Sequence, residues 1–188
     1  MNKKPRVGVD VDGVLADLMT PMFALLNRLA GTAYTVEHMD DWTIDPLIPK
    51  DHADEFWREL GRPGLHANLQ PYAGAVEGMR ALSEVADVYI VTSYLTGAET
   101  WVHERDAWLA EHFSIPRARI VHTRAKYTFY GRMLVDDKPE NVIEWQTEHA
   151  HGAGVLWLQA YNRRCDDARI LHRTDQWQDL VRLVSTPV

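Results

Sequence analysis

The sequence predicts an α/β fold: a parallel β-sheet flanked by helices, with a small helical segment inserted after the first strand. Short apolar runs rich in β-branched residues alternate with segments whose apolar residues recur every three or four positions. This alternation is typical of strand–helix–strand units that build parallel sheets. Four of the predicted strands end in, or are shortly followed by, charged or hydroxyl side chains. Because ligands of such sheets bind beyond the carboxyl ends of the strands, we expect the chemistry there.

Composition restricts the classes of function. The chain has 188 residues, 46% hydrophobic and 25% charged, which suits one domain carrying a small insertion. A net charge of −7 argues against a nucleic-acid polymer as the partner. The sequence contains no apolar run of about 18 residues, so we expect no membrane span. Cys165 is the single cysteine, which excludes an intramolecular disulfide and favours a reducing, cytoplasmic location.

The first predicted strand, within residues 7–15, ends in two carboxylates and a glycine. Asp10 and Asp12 are two residues apart on an extended segment, so both side chains can face one small volume. Two anions placed together need a cation, a proton or strong donors between them. The alternative is a solvated turn. A calcium loop is excluded because Gly13 comes too early and Pro21 occupies the twelfth position, where such a loop has glutamate.

The next stretch reads as helical. An apolar stripe over residues 22–29 predicts a helix that ends at Gly31, and residues 54–60 predict a short second helix. No strand pattern appears up to residue 70. We therefore assign residues 18–70 to a helical cap, and residues 1–17 with 71–188 to the sheet domain.

The remaining elements alternate. A helix is expected to open at Pro71, in the first turn of which proline is well tolerated. The later predictions are strands at 87–93, 119–122, 133–135 and 154–158, and helices at 99–113, 139–149 and 175–183.

The strand ends form an ordered set. Along the chain they carry the Asp10–Asp12 pair, the hydroxyls of Thr92 and Ser93, Lys126, and the pair Asp136–Asp137. Taken singly, each has a structural explanation as a cap, a solvated charge or a turn. Their joint occurrence at successive strand ends is much harder to obtain by accident, so we expect these side chains to form one site.

This order resembles the four motifs of the haloacid-dehalogenase (HAD) superfamily, and the details resemble its 5'(3')-deoxyribonucleotidases. The matching segments are residues 10–17, 88–93, 123–126 and 134–138, and residues 161–163 and Trp177 are also in place. Residues 71–75 resemble the family's helix start but lack its second proline. The resemblance implies a Rossmann-like HAD core with a cap, and hydrolysis of nucleoside 5'-monophosphates with Mg²⁺ as cofactor. The expected substrates are deoxyribonucleotides.

The resemblance also implies roles for these residues. Asp10 is expected to be the nucleophile and Asp12 the general acid and base, while Thr92, Ser93 and Lys126 bind the phosphate. Mg²⁺ is expected to be held by Asp10, the backbone carbonyl of Asp12, and the pair Asp136–Asp137, with Asp137 the first choice within that pair.

The cap matches the family less well, so the substrate is less well defined than the chemistry. The expected pocket residues are Leu18, Trp42, Trp57 and His66, of which Leu18 and His66 stand where the family commonly has aromatics. The alternatives are a phosphatase for another small ester such as a sugar phosphate, a phosphomutase, or a HAD-like binding protein without turnover. The oligomeric state is open, with a homodimer among the options.

Overall fold

The computed structural model of the protein describes residues 3–186. Over that range the strands are β1 (Arg6–Val9), β2 (Ala16–Asp17), β3 (Gln70–Pro71), β4 (Asp87–Thr92), β5 (Ile120–His122), β6 (Met133–Asp136), β7 (Ala153–Trp157) and β8 (His172–Thr174). Six of them form a parallel sheet in the order β5-β4-β1-β6-β7-β8. The predicted α/β class is therefore confirmed, and β1 lies in the interior of the sheet.

The helices flank this sheet. They are α1 (Met19–Ala30), α2 (Ala53–Leu60), α3 (Ala75–Val85), α4 (Trp101–Phe113), α5 (Pro139–Glu148) and α6 (Trp177–Ser185). Helix α3 packs against α4 and α6, and α5 packs against β6 and β7. No helix in residues 3–186 combines the length and apolarity needed to cross a membrane.

Burial explains the apolar character of β1. Val7 and Val9 are fully buried, as expected for an interior strand of a parallel sheet. The same core cluster includes Leu26 of α1 and Phe56 and Leu60 of α2. The helical segment after the first strand therefore shares one continuous apolar core with the sheet.

A short antiparallel pair connects the two parts. Ala16 pairs with Pro71, and Asp17 pairs with Gln70, so the chain leaves the sheet region and returns to it side by side. The prediction that a helix opens at Pro71 is wrong, since Pro71 lies in β3 and α3 begins at Ala75. Gly74 stands between them at φ 80°, a left-handed conformation that lets the chain turn from strand to helix.

Strand β8 was not predicted. Its three residues, His172, Arg173 and Thr174, are polar and pair with β7 at the edge of the sheet. An edge strand of this length has no apolar alternation that the sequence could reveal.

Candidate active site

The parallel sheet brings the predicted strand ends together. Val9 is in register with Ile90 of β4 and Val135 of β6. Asp10 follows β1, and Asp136 is the last residue of β6, so their carboxylates lie at neighbouring strand ends. Carboxylate oxygens of Asp10, Asp136 and Asp137 lie within 4.8 Å of one another, and all three residues are buried.

Lys126 lies at the centre of this acidic cluster. Its ammonium is 2.7 Å from Oδ2 of Asp10 and 2.7 Å from Oδ2 of Asp136, and only 2% of the side chain is exposed. Burial alone would lower the pKa of Lys126, but the two carboxylates outweigh burial and raise it. Lys126 is thus a permanent positive charge beneath the site.

One lysine does not balance three carboxylates. Burial raises the pKa of Asp10 to about 7, against the opposing effect of Lys126 and with a further contribution from Asp136. Burial and the neighbouring carboxylates of Asp136 and Asp10 also raise the pKa of Asp137. Converging oxygen donors with surplus negative charge suit a hard divalent cation, so the residues present fit a metal of that class.

The two adjacent aspartates differ in their contacts. Asp136 is fully buried and accepts hydrogen bonds from Lys126, the Lys138 backbone N–H and the Asn141 side-chain amide. Both of its carboxylate oxygens are engaged, and it is not among the residues lining the cavity described below. The contacts of Asp136 therefore suit a residue that positions the Lys126 ammonium.

Asp137 lines the cavity and is held from one side. The Tyr161 hydroxyl donates a short hydrogen bond to Oδ2 of Asp137, and the Asn162 amide donates to its backbone carbonyl at 2.7 Å. A Cβ on Gly13 would overlap both the Asp137 carboxylate and the Tyr161 hydroxyl, and Gly13 has φ +78°. Only glycine meets both requirements. The sequence placed Tyr161 and Asn162 by resemblance alone and gave neither a role.

Asp12 is paired with an arginine that sequence reasoning missed. Nη2 of Arg105, in α4, lies 2.7 Å from both carboxylate oxygens of Asp12. Arg105 is fully buried, whereas 23% of the Asp12 side chain is exposed. The available signal was an arginine at helical spacing between Trp101 and Trp108, on a face that those aromatics mark as buried.

The two predicted hydroxyl residues are in different positions. Ser93 lines the cavity, and its hydroxyl donates to the Thr123 carbonyl at 3.4 Å. Thr92 is fully buried, and its hydroxyl donates to the Ser93 carbonyl at 3.3 Å. Ser93 is therefore the more accessible of the two to a phosphate, and the role predicted for Thr92 stays a prediction.

A cavity of about 410 Å³ opens over the cluster. Its polar and charged lining consists of Asp10, Asp12, Thr43, Asp45, Ser93, Arg124, Lys126, Asp137, Lys138 and Asn141. Its apolar and aromatic lining consists of Leu18, Met19, Met22, Trp42, Ile44, Trp57, Leu60, Tyr94, Leu95 and Trp101. The cavity thus combines the charged groups of the cluster with a large apolar and aromatic surface.

Three of the four predicted pocket residues line this cavity. Leu18, Trp42 and Trp57 do so, and Trp57 is 36% exposed. The Lys138 ammonium lies 4.0 Å from the centroid of the Trp42 ring, covering one of its faces. Trp101 and Tyr94 also line the cavity, although the sequence did not single them out as pocket residues.

His66 does not line the cavity, and its assignment as a pocket residue is corrected. Only 1% of it is exposed, its ring centroid lies 3.5 Å from that of Trp101, and its Nε2 is 3.0 Å from the Leu60 carbonyl oxygen. Burial lowers the pKa of His66 to about 4. The side chain is therefore a neutral packing group beneath Trp101.

Comparison with known proteins places this geometry in context. The sequence model of a family described as 5' nucleotidase, deoxy (pyrimidine), cytosolic type C matches residues 4–187. The human cytosolic-type 5'(3')-deoxyribonucleotidase is 27% identical over an alignment of 206 positions, which covers 96% of this chain and 95% of the human one. A Bordetella bronchiseptica protein provisionally named 5'(3')-deoxyribonucleotidase is 30% identical over 170 residues, covering 82% of this chain and 84% of its own.

Solved structures agree on the fold. A Bacillus subtilis protein described as a HAD hydrolase, solved with bound magnesium, superposes with a TM-score of 0.58 at 15% identity. The match covers 98% of this chain and all of that one. At this identity the likeness concerns the HAD fold alone.

Proposed function

The chain belongs to the family of cytosolic-type deoxy-pyrimidine 5' nucleotidases and is a phosphomonoesterase, and from this membership we propose that it hydrolyses deoxyribonucleoside 5'-monophosphates through a phosphorylated Asp10. The observation that carries the proposal is the cavity itself. Its lining combines Asp10, Asp12, Lys126 and Asp137 with apolar and aromatic side chains. A phosphate ester of an aromatic nucleoside matches both kinds of lining.

In the first step, the Asp10 carboxylate attacks phosphorus and the bond between phosphorus and the ester oxygen breaks. Asp12 gives its proton to the leaving alkoxide, so the nucleoside departs as a neutral alcohol. Lys126 fixes Oδ2 of Asp10 at 2.7 Å and neutralises part of the charge on the phosphoryl oxygens. Ser93 donates to a phosphoryl oxygen from the cavity wall.

In the second step, Asp12 takes a proton from a water molecule as that water attacks the phosphorus of the aspartyl-phosphate. The bond between Asp10 and phosphorus breaks, inorganic phosphate leaves, and Asp10 is a free carboxylate again. The number of protons on Asp12 is restored at the end of the cycle.

A divalent cation fits this site, and we assign it as Mg²⁺. Asp10, Asp137 and the backbone carbonyl of Asp12 would hold it, and no cysteine or histidine belongs to the cluster. When bound, Mg²⁺ would screen the nucleophile from the incoming phosphate dianion. The hydrogen bonds from Tyr161 and Asn162 to Asp137 would hold it in position for this task.

We assign substrate selection to the apolar and aromatic lining of the cavity. Trp42 and Trp57 both belong to it, and in this proposal at least one of them stacks on the base. Stacking tolerates different bases, so the pocket favours nucleotides as a class. An apolar wall rejects an added hydroxyl by only about a hundredfold, so deoxyribonucleotides are preferred over ribonucleotides without excluding them.

The proposal extends to the setting of the enzyme. The substrate is a free nucleotide and not a nucleic-acid polymer, in keeping with the net charge of −7. A cytosolic location follows the description of the human relative.

Phosphate release from a panel of nucleotides and sugar phosphates tests the function. Deoxyribonucleoside 5'-monophosphates should be the best substrates, EDTA should stop the reaction, and excess Mg²⁺ should restore it. Sugar phosphates hydrolysed as well as the best nucleotide would indicate a general phosphatase instead. Full activity in a thoroughly chelated sample would contradict the metal assignment.

A further inference from the structure

Arg105 is a buried cation whose ion pair leads directly into the active site. None of its surface is exposed, and its Nη2 contacts both carboxylate oxygens of Asp12 at 2.7 Å. Its guanidinium carbon lies 5.3 Å from the ring centroid of Trp101 and 6.0 Å from that of Trp108. The charge thus lies between two indole rings and one carboxylate.

Asp12 compensates this charge. Nε and Nη1 of Arg105 have no hydrogen-bond partner within residues 3–186. Glu104, its neighbour in α4, is engaged elsewhere, because its carboxylate accepts hydrogen bonds from the backbone N–H groups of Gly64, His66 and Ala67. Arg105 therefore directs both of its side-chain hydrogen bonds at Asp12.

Stability alone does not account for an arginine here. Burying a guanidinium is costly, and an apolar side chain of similar size generally stabilises such a site at least as well as an ion pair. His66 packs against Trp101, one of the two indole rings beside Arg105. Burial lowers the pKa of His66 to about 4 and leaves it neutral. Arg105 is thus the group that brings positive charge to Asp12 from this side.

The contact also fixes where Asp12 lies. Trp101 contacts Arg105 on one side and lines the substrate cavity on the other. The indole N–H of Trp108 donates to the carbonyl of Leu69 at 2.7 Å, directly before β3. Arg105 is consequently held by the cavity wall and by the connection between the helical segment and the sheet.

We propose that Arg105 is the positioning residue for Asp12, holding its carboxylate at the floor of the cavity where the leaving oxygen of the substrate lies. The inference rests on the proposed function, in which Asp12 transfers the proton. Arg105 does not touch the substrate. Its contribution is the location of the Asp12 oxygens.

The dependence on leaving group separates this role from a structural one. A nucleoside alkoxide needs a proton to depart, whereas p-nitrophenolate departs without one. We expect Arg105→Met to lower the rate of nucleoside release in a single turnover of the best nucleotide by about a hundredfold, within the usual range for general acid catalysis. The single-turnover release of p-nitrophenolate should fall less than about tenfold. Single turnovers are measured because Asp12 also acts in the second step, which both substrates share. Arg105→Lys, which keeps the charge, should recover part of the loss on the nucleotide.

A control is available in another arginine that pairs with an aspartate of the same helix. Arg117 pairs with Asp106 of α4, away from the cavity lining, and Arg117→Met should leave both substrates unaffected. In an Asp12→Asn background, Arg105→Met should cause less than about a threefold further loss, because both changes act through one group. Circular dichroism and thermal melting establish that each variant is folded.

The outcomes separate the two proposals. Equal losses of the single-turnover release rate on both substrates in folded Arg105→Met, or no loss on either, would overturn the positioning role. If Arg105→Met does not fold, Arg105→Lys decides: an equal loss on both substrates counts against the role, and a loss confined to the nucleotide supports it. A wild-type enzyme that hydrolyses neither ester contradicts the proposed function, and the inference fails with it.

Discussion

Lys126 reaches across the carboxyl end of the sheet to Asp10, with its ammonium 2.7 Å from Oδ2 of that carboxylate. The same ammonium holds Asp136 at the same distance. A single lysine thereby fixes the carboxylate that follows β1 and the one that ends β6. The cluster still carries more negative than positive charge, because Asp137 adds a third carboxylate and no second cation joins the cluster's ion pairs in residues 3–186.

Replacing Asp10 with asparagine should abolish activity without loss of stability. An amide is a poor nucleophile, so we expect less than about a hundredth of the wild-type rate. Burial raises the pKa of Asp10 to about 7, so its carboxylate is held in an unfavourable environment. Replacing that carboxylate by an amide relieves the crowding of negative charge, and Lys126 keeps its ion pair with Asp136. Phosphate release and the melting temperature are the measurements, with Asp87→Asn as a control for loss of a paired aspartate outside the cavity lining. A higher residual rate would mean that Asp10 is not the nucleophile.

Gly13→Ala should inactivate the enzyme beyond its effect on the backbone. The new methyl group would overlap the Asp137 carboxylate and the Tyr161 hydroxyl. Gly31→Ala is the matched control, because Gly31 also has positive φ (+65°) but has no atom within 4 Å of a Cβ placed there. Both changes should cost about 1 kcal/mol from backbone strain, measured by urea unfolding. Only Gly13→Ala should lose most of its phosphate release, and equal activity of the two variants would contradict the assignment of Asp137.

The stability of the protein should depend on pH through His66. Its pKa is about 4 in the folded state and 6.5 when unfolded, so the unfolded chain binds the proton more tightly. Stability is therefore complete above about pH 6.5 and is lost as pH falls toward 4, by about 3 kcal/mol at most. His66→Gln should flatten this part of the dependence, measured as unfolding free energy between pH 7 and pH 4.5. His103→Gln, on the exposed side of α4, is the comparison. The same slope in all three proteins would refute the assignment.

Removing an aromatic wall should selectively impair nucleotide hydrolysis. Stacking contributes about 1–3 kcal/mol, so Trp42→Ala or Trp57→Ala should lower kcat/KM for the best deoxyribonucleotide by roughly 5- to 150-fold. The rate on a small sugar phosphate should change little, since it has no base. Lys138 covers one face of Trp42, so only the other face of that ring is free for a base. If neither tryptophan matters for any nucleotide, the stacking hypothesis is wrong.

Local sequence predicted most of the sheet and helices. The β-branched runs around Val9, Ile90 and Val135 gave three neighbouring strands, because burial on both faces leaves a continuous apolar pattern. Parallel pairing then brings their carboxyl ends to one edge. That rule predicts that Asp10, Lys126 and Asp136 lie close together, as their ion pairs show.

The sequence could not supply contacts that depend on distant packing. Arg105 reads as one more helical charge until the fold carries it to Asp12, 93 residues away. His66 reads as a pocket residue until its ring is found beneath Trp101. Pro71 has a good helix-start context, yet pairing with Ala16 places it in a strand.

The sequence by itself determined the family, the α/β class and the identity of the strand-end residues, because these depend on local periodicity and on motifs with fixed spacing. Only the tertiary structure decided which carboxylates of the site are occupied by protein donors and which face the cavity. Asp136 and Asp137 are adjacent in the chain, but one is saturated by donors from Lys126 and Asn141 while the other faces the cavity beside Tyr161. Which hydrogen-bond donors reach a carboxylate is set by segments that lie far apart in the sequence, so no local pattern encodes it.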